Sequence, residues 1–183
     1  MSTEHLILGK TIDFITGETI LDTHDERARQ TIARFLVEKK GYFKGDISVR
    51  QKLEFFLDGK SARVGVDFII RLAGKVFAIV IFGPGSLVSR ERPAVAAARL
   101  LESYAVPFVV VTNGKDAEIL ETSSGAVIAE GLEAIPSKEE AMETIKALAF
   151  ERVPENRLEK EKRILYAFEV LAERECDEYT CSI

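Results

Sequence analysis

The spacing of apolar positions changes several times along the chain, and each change marks an element. β-forming residues flank Thr16-Gly17-Glu18, which predicts a hairpin from Ile12 to Ile20. Thr23 then stands three residues before Glu26, the spacing of a capping box, and Ala28, Ile32, Phe35 and Leu36 recur at i, i+4, i+7 and i+8. A helix ending at Gly41 is expected there. From Ile47 to Leu57 the period falls to two, with Ile47, Val49, Leu53, Phe55 and Leu57 expected on one buried face and Ser48, Arg50, Lys52 and Glu54 on the other. Asp58-Gly59 supplies a turn, and Arg63 to Leu72 returns as a second strand before Gly74. Val76 to Phe82 carries no polar side chain, the pattern of a central strand covered on both faces.

Gly83-Pro84-Gly85-Ser86 interrupts the sheet, and the alanine-rich stretch from Arg90 to Tyr104 predicts a helix that Pro107 stops. Phe108 to Gly114 reads as another buried strand. Ala117 to Glu121 and Ala126 to Glu130 form a short pair around Ser123-Ser124-Gly125. Strand, helix, strand in that order implies a parallel crossover. After Pro136, Ser137 and Glu140 make a second capping box ahead of the apolar stripe Ala141, Ile145, Leu148. Pro154 separates a last, charged helix whose apolar face is expected to be Leu158, Ile164, Leu165, Phe168 and Leu171.

Composition narrows the picture. A chain of 183 residues with 46% hydrophobic content can bury one core, so a single domain over 1–183 is expected. Its net charge of −5 argues against a surface coated in positive potential for sequence-independent nucleic-acid binding. Basic groups do gather at Arg27, Arg29 and Arg34, at Lys39, Lys40 and Lys44, and at Arg90 and Arg92, each diluted by acids. Leu6, Ile7 and Leu8 are too few for a signal or a membrane span, so a cytoplasmic protein without a membrane partner is expected. Cys176 and Cys181 read as free thiols, since no further cysteine and neither His5 nor His24 lies near enough in sequence to complete a zinc set. Ser86 and Ser89 lack a histidine and acid set for acyl transfer, and the glycine-rich loop lacks a phosphate-binding lysine.

The order of elements is a helix with an early acid, three strands as a meander, a helix and a further strand. Together with HDERARQTIARFLVEKKGY (24–42), VGVDFII (64–70), Pro84-Gly85 and PFVVVTNG (107–114), it resembles the N-terminal domain of type I restriction enzyme R subunits, within the PD-(D/E)XK nuclease superfamily. The resemblance covers residues 10–130. It implies a restriction-endonuclease-like three-layer α/β/α domain with a mixed central sheet. Two C-terminal helices over 137–176 would be added, packed on that core or on a partner subunit.

In that family a helical Glu, an Asp on the second strand and a Glu-X-Lys on the third hold Mg²⁺ and orient water. Glu26 and Asp67 match the first two positions, as vestigial catalytic residues, with Asp67 the candidate metal ligand. The alternative is that Glu26 closes its helix cap and Asp67 accepts hydrogen bonds from backbone or an arginine. The third strand departs from the pattern: Val80 and Phe82 fall where Glu and Lys belong, and the Gln and Tyr of the following helix fall near Ala96 and Leu100.

The expected function is therefore a catalytically degenerate module without a cofactor, binding nucleic acid, a protein partner or a second copy of itself. The competing expectation is an active Mg²⁺-dependent DNA endonuclease in which a migrated carboxylate joins Asp67 and Glu26. Glu54 and Glu91 are the candidate acids, Lys52 or Lys75 would stand in for the lysine, and Arg90 or Arg92 would add charge.

Overall fold

The computed structural model describes residues 7–170. A two-stranded ribbon, β1 (Gly9–Ile12) and β2 (Thr19–Asp22), leads into α1 (His24–Arg34). Its strands lie a little outside the hairpin expected around Thr16-Gly17. Thr23 caps α1 by accepting from the Glu26 N–H at 3.1 Å, and Asp25 and Glu26 meet the positive end of the helix dipole. The helix widens to i→i+5 bonding over Phe35–Lys39, where the Lys40 N–H reaches the Phe35 carbonyl.

Six further strands make one mixed sheet in sequence order: β3 (Ile47–Leu57), β4 (Lys60–Leu72), β5 (Lys75–Phe82), β6 (Phe108–Thr112), β7 (Ala117–Glu121) and β8 (Val127–Glu130). Only β5 and β6 run parallel, and α2 (Val88–Leu100) connects them. This helix starts and stops earlier than the expected Arg90 to Tyr104. Asp58 and Gly59, both at positive φ (48° and 76°), close the β3–β4 hairpin in the handedness that a two-residue loop needs.

Two helices cover each face. α1 and α3 (Lys138–Ala147) bury Ile32, Leu36, Ala141 and Ile145 against Phe68, Val80, Phe82, Val110 and Ile119. α2 and α4 (Glu155–Leu165) bury Ala94, Ala97 and Leu165 against Ile79, Val109, Val111 and Leu120. This is the expected three-layer, restriction-endonuclease-like α/β architecture, and both C-terminal helices pack on the chain's own core. Cys176, Cys181 and Leu171 lie outside the described residues.

Two expectations need correcting. Ile47 and Val49 face α1, whereas Leu53, Phe55 and Leu57 join the α2 and α4 core, so β3 does not present all five to one side. The reason is local. Pairing of β3 with β4 lapses between Val49↔Phe68 and Gln51↔Val66, and Arg50 there takes φ +50°. Both strands change faces at the lapse: Val64 and Val66 face α2 and α4, while Phe68 and Ile70 face α1.

The second correction concerns α4. Its buried face is Leu165 together with Glu161, which is 1% exposed, whereas Phe168 is exposed. Glu161 accepts from Arg99 of α2 at 2.8 Å, and Arg99 donates to the Thr122 carbonyl at 2.5 Å. A buried pair of this kind is unforgiving when halved. Glu161→Ala is expected to cost about 3–5 kcal/mol by stranding the Arg99 charge, and Arg99→Met with Glu161→Leu to cost less than Glu161→Ala, as read by urea denaturation.

Candidate functional site

Asp67 stands on β4 where the strand leaves its partner. The β4–β5 ladder ends at Phe68↔Val80, so the next β5 amide pointing that way, that of Phe82, has no strand carbonyl to bond. Asp67 Oδ2 accepts this N–H at 2.7 Å. Its other oxygen, Oδ1, accepts from Arg29 Nε of α1 at 2.6 Å, and the Arg29 guanidinium lies 5.0 Å from the centre of the Phe82 ring. Backbone and an arginine thus both bond Asp67.

Glu26 lies one turn before Gln30 on α1 and turns its carboxylate away from the cap. Thr23 receives the Glu26 N–H, but Glu26 Oε1 accepts from Gln30 Nε2 at 2.8 Å instead of reaching back to Thr23. Arg29 Nη1 is 4.0 Å from Glu26 Oε2, and Arg50 Nη1 is 3.8 Å from Oε1. Arg29 therefore stands between the two acids that the family pattern singles out. Val80, fully buried, and Phe82, 6% exposed, belong to the apolar core that α1 covers.

Sequence reasoning missed one member of the cluster. Asp13, 1% exposed, reaches in from the turn after β1. Its Oδ1 accepts from the Ile15 and Thr16 amides at 2.9 and 2.7 Å, and its Oδ2 from Gln30 Nε2 at 3.0 Å and Arg50 Nη1 at 2.5 Å. Gln30 bonds both Asp13 and Glu26. The only signal was an Asp ahead of Thr-Gly, which is also what an ordinary turn contains.

The proposed substitutes lie elsewhere. Glu54 pairs with Arg63 on the exposed hairpin arm at 2.6 Å, and Lys52 lies over Gly65 on the same arm. Lys75 stacks on Tyr104 and Phe150, Arg92 approaches Glu161, and Glu91 sits in the first turn of α2 near Glu118. Arg90 packs flat on Gly83, where an added Cβ would fall 2.0 Å from its guanidinium carbon. None of them bonds Asp67 or Glu26. Among the described residues no three His, Cys, Asp or Glu side chains are grouped so as to hold a metal ion.

The family model described as type I restriction enzyme R protein N terminus matches residues 24–136, more than half of the chain. The chain belongs to this family. Among curated proteins and among solved structures, none matches it. The R-protein N-terminal match runs from α1 to the residue before the α3 cap, so it contains Glu26, Arg29, Arg50, Asp67, Val80 and Phe82. The ribbon that supplies Asp13 and the helix that supplies Glu161 lie outside it. Among the described residues no helix is long and apolar enough to cross a membrane.

Burial by itself would push the Asp13 carboxyl upward. The hydrogen bonds from Arg50, the Thr16 amide and Gln30, with the Arg50 charge, overcome it and hold the pKa at about 2. A carboxyl with a depressed folded-state pKa stabilises the fold above its unfolded value, near 4, and loses that contribution as pH falls toward 2. The stake is about 2 kcal/mol for a shift of this size. In urea titrations at pH 7, 4 and 2.5, Asp13→Asn is expected to be less stable than wild type at neutral pH. The gap should narrow between pH 4 and 2.5.

Proposed function

We propose that this R-protein N-terminal domain does not cleave nucleic acid, and that it retains the nuclease-like scaffold as a binding module in which all of 1–183 acts as one domain. The observation that carries the reading is the Arg29 guanidinium, bonded to Asp67, approaching Glu26 and lying over Phe82. It stands in the space that a cation and a lysine would need between the vestigial catalytic positions Glu26 and Asp67.

The donor set does not suit Mg²⁺. Such an ion takes several oxygens in a near-octahedral shell. Both Asp67 oxygens are committed, to Arg29 and to the Phe82 amide, and Asp13 accepts from four protein N–H groups. A guanidinium beside these acids also repels a dication at short range. No cofactor is assigned on this reading.

Nucleic acid is the partner that family membership and local charge favour. Near the exposed end of α1, Arg34 and Lys44 stand 4.4 and 4.1 Å from the centre of the Phe14 ring. The closest carboxylate to Arg34 is that of Glu38 at 3.9 Å, and Lys44 forms no ion pair with a described residue. Two cations held on one ring offer a fixed contact for backbone phosphates. A protein partner or homodimer is the reading left if DNA does not bind.

A second reading has one observation in its favour: Asp13 converges with Glu26 on Gln30 and Arg50, which puts a third carboxylate beside Glu26. An active Mg²⁺-dependent DNA endonuclease would use it with Glu26 and Asp67, Asp67 being the metal ligand.

One set of measurements separates these readings: isothermal titration of Mg²⁺ and Mn²⁺ into wild type and Asp67→Ala, a DNA-cleavage assay, and fluorescence anisotropy with labelled DNA in EDTA. The expected result is no cleavage, no cation binding that depends on Asp67, and metal-independent DNA binding. Lys44→Ala should weaken that binding about three- to tenfold at low salt, as loss of one phosphate contact does. Cleavage together with cation binding lost in Asp67→Ala would establish the endonuclease instead.

A further inference from the structure

On the face of the sheet opposite Asp67, α2 and α4 meet over more positive charge than their shared acid neutralises. Arg99 Nη1 and Arg157 Nε approach Glu161 Oε1 at 2.8 and 3.3 Å. Arg92 Nη2 is 2.7 Å from Oε2, yet Oε2 accepts no hydrogen bond from it in acceptable geometry. Three guanidiniums thus converge on one carboxylate, and none of them is ion-paired with any other described acid. Like charges so close raise each other's energy unless a further anion joins them.

The space for one is present. Three cavities of about 410, 270 and 460 Å³ adjoin here, and Arg157 lines all three, while Arg92 and Arg99 each line two. The 410 Å³ cavity runs from Arg99, Arg157 and the exposed Arg152 onto an apolar wall of Pro107, Phe108, Leu148 and Val153. Thr122, wholly buried, also lines it, and its hydroxyl oxygen has no hydrogen-bond partner. A buried hydroxyl without a partner is unusual in a folded protein and points to a missing one. Of the acids on the wall, Glu121 bonds Ser124 at 2.7 Å and Glu151 is exposed.

We propose that this trough binds a phosphate ester of nucleotide size, its phosphate bridging Arg157, Arg152 and the Thr122 hydroxyl and its ring resting on the Pro107 and Phe108 wall. Several guanidiniums around one position suit a multiply charged tetrahedral oxyanion better than a single carboxylate. A volume of about 410 Å³ falls in the range of small-ligand pockets and leaves room for a base beside the phosphate. The ligand is either a free nucleotide or the phosphorylated end of a strand, which share this chemistry. The site stands on residues separate from those of the proposed binding module, so either can fail alone.

The test is isothermal titration of the full chain, without metal, with adenosine monophosphate, inorganic phosphate and a 5′-phosphorylated single-stranded oligonucleotide. Saturable binding of the nucleotide or the oligonucleotide, tighter than that of phosphate, is expected. Arg152→Gln alters an exposed arginine, so its unfolding midpoint should hold, whereas Arg157→Gln also gives up the 3.3 Å bond to Glu161 and its midpoint is measured beside its affinity. Arg157→Gln should weaken binding about tenfold or more, as loss of a charged hydrogen bond does. Arg34→Gln on the other face should leave nucleotide affinity unchanged. Binding of the oligonucleotide but not the nucleotide would identify a strand end as the ligand. Absence of saturable binding by wild type up to millimolar concentration, or affinity unchanged in both Arg157→Gln and Arg152→Gln, would overturn the proposal.

Discussion

The lapse in pairing between β3 and β4 at Arg50 and Asp67 governs both the shape of the sheet and the composition of the cluster beside it. Residues before the lapse on β3 and after it on β4 face α1, and the outer arms of the hairpin face α2 and α4. A strand pair that changes faces part-way can close over two cores at once, much as a bulge re-aims side chains at a sheet edge. Beside it the β4–β5 ladder ends at Phe68↔Val80, which leaves the Phe82 amide without a strand carbonyl. A buried N–H must find an acceptor, and Asp67 is the residue left pointing at it. Arg50, at positive φ, carries its guanidinium to Asp13. The lapse and the ladder end together join the ribbon, α1, β4 and β5.

Much of the architecture could be read from residue pattern because it depends on burial alone. The apolar run of β5 is covered on both faces, and the bounds of β3 fall at Ile47 and Leu57 as alternation indicates. The Ser137 and Glu140 capping box forms in both directions, with Ser137 and Glu140 bonding each other's backbone amides. The Thr23 and Glu26 box forms in one direction only. Glu26 has Gln30 and two guanidiniums within reach, and tertiary partners take its side chain from the local motif.

What pattern could not reveal shares a different cause. Alternation counts positions but does not register a change of handedness, and arginine is not a residue that signals positive φ, so the face switch at Arg50 was invisible. Periodicity also assigns every charged residue to solvent. Glu161 lies between Arg99 and Arg157 at the centre of the α4 contact, and its burial depends on arginines brought from 62 and 4 residues away. Asp13 is the same case at the other face, a turn residue in sequence and a four-bonded buried acid in space. Position 67 was the exception: an acid inside an apolar run advertises a partner, though not which one.

The two charged clusters differ in a way that counting charges alone would misjudge. Around Asp67 three carboxylates, Asp13, Glu26 and Asp67, face two guanidiniums, an apparent excess of acid that invites a cation. Backbone amides of Ile15, Thr16 and Phe82 and the side chain of Gln30 make up the difference, so every one of these oxygens but Glu26 Oε2, which lies 4.0 Å from Arg29, is hydrogen-bonded without one. Around Glu161 the excess is of guanidinium, and among the described residues no set of acceptors balances it beyond the Thr122 and Ser123 carbonyls that Arg99 alone uses. Arg92 and Arg157 keep nearly half their side-chain surface open onto cavities, and Arg157 shares one of them with a hydroxyl that has no partner. Hydrogen-bond satisfaction, more than net charge, separates a cluster that is complete from one with room for a ligand.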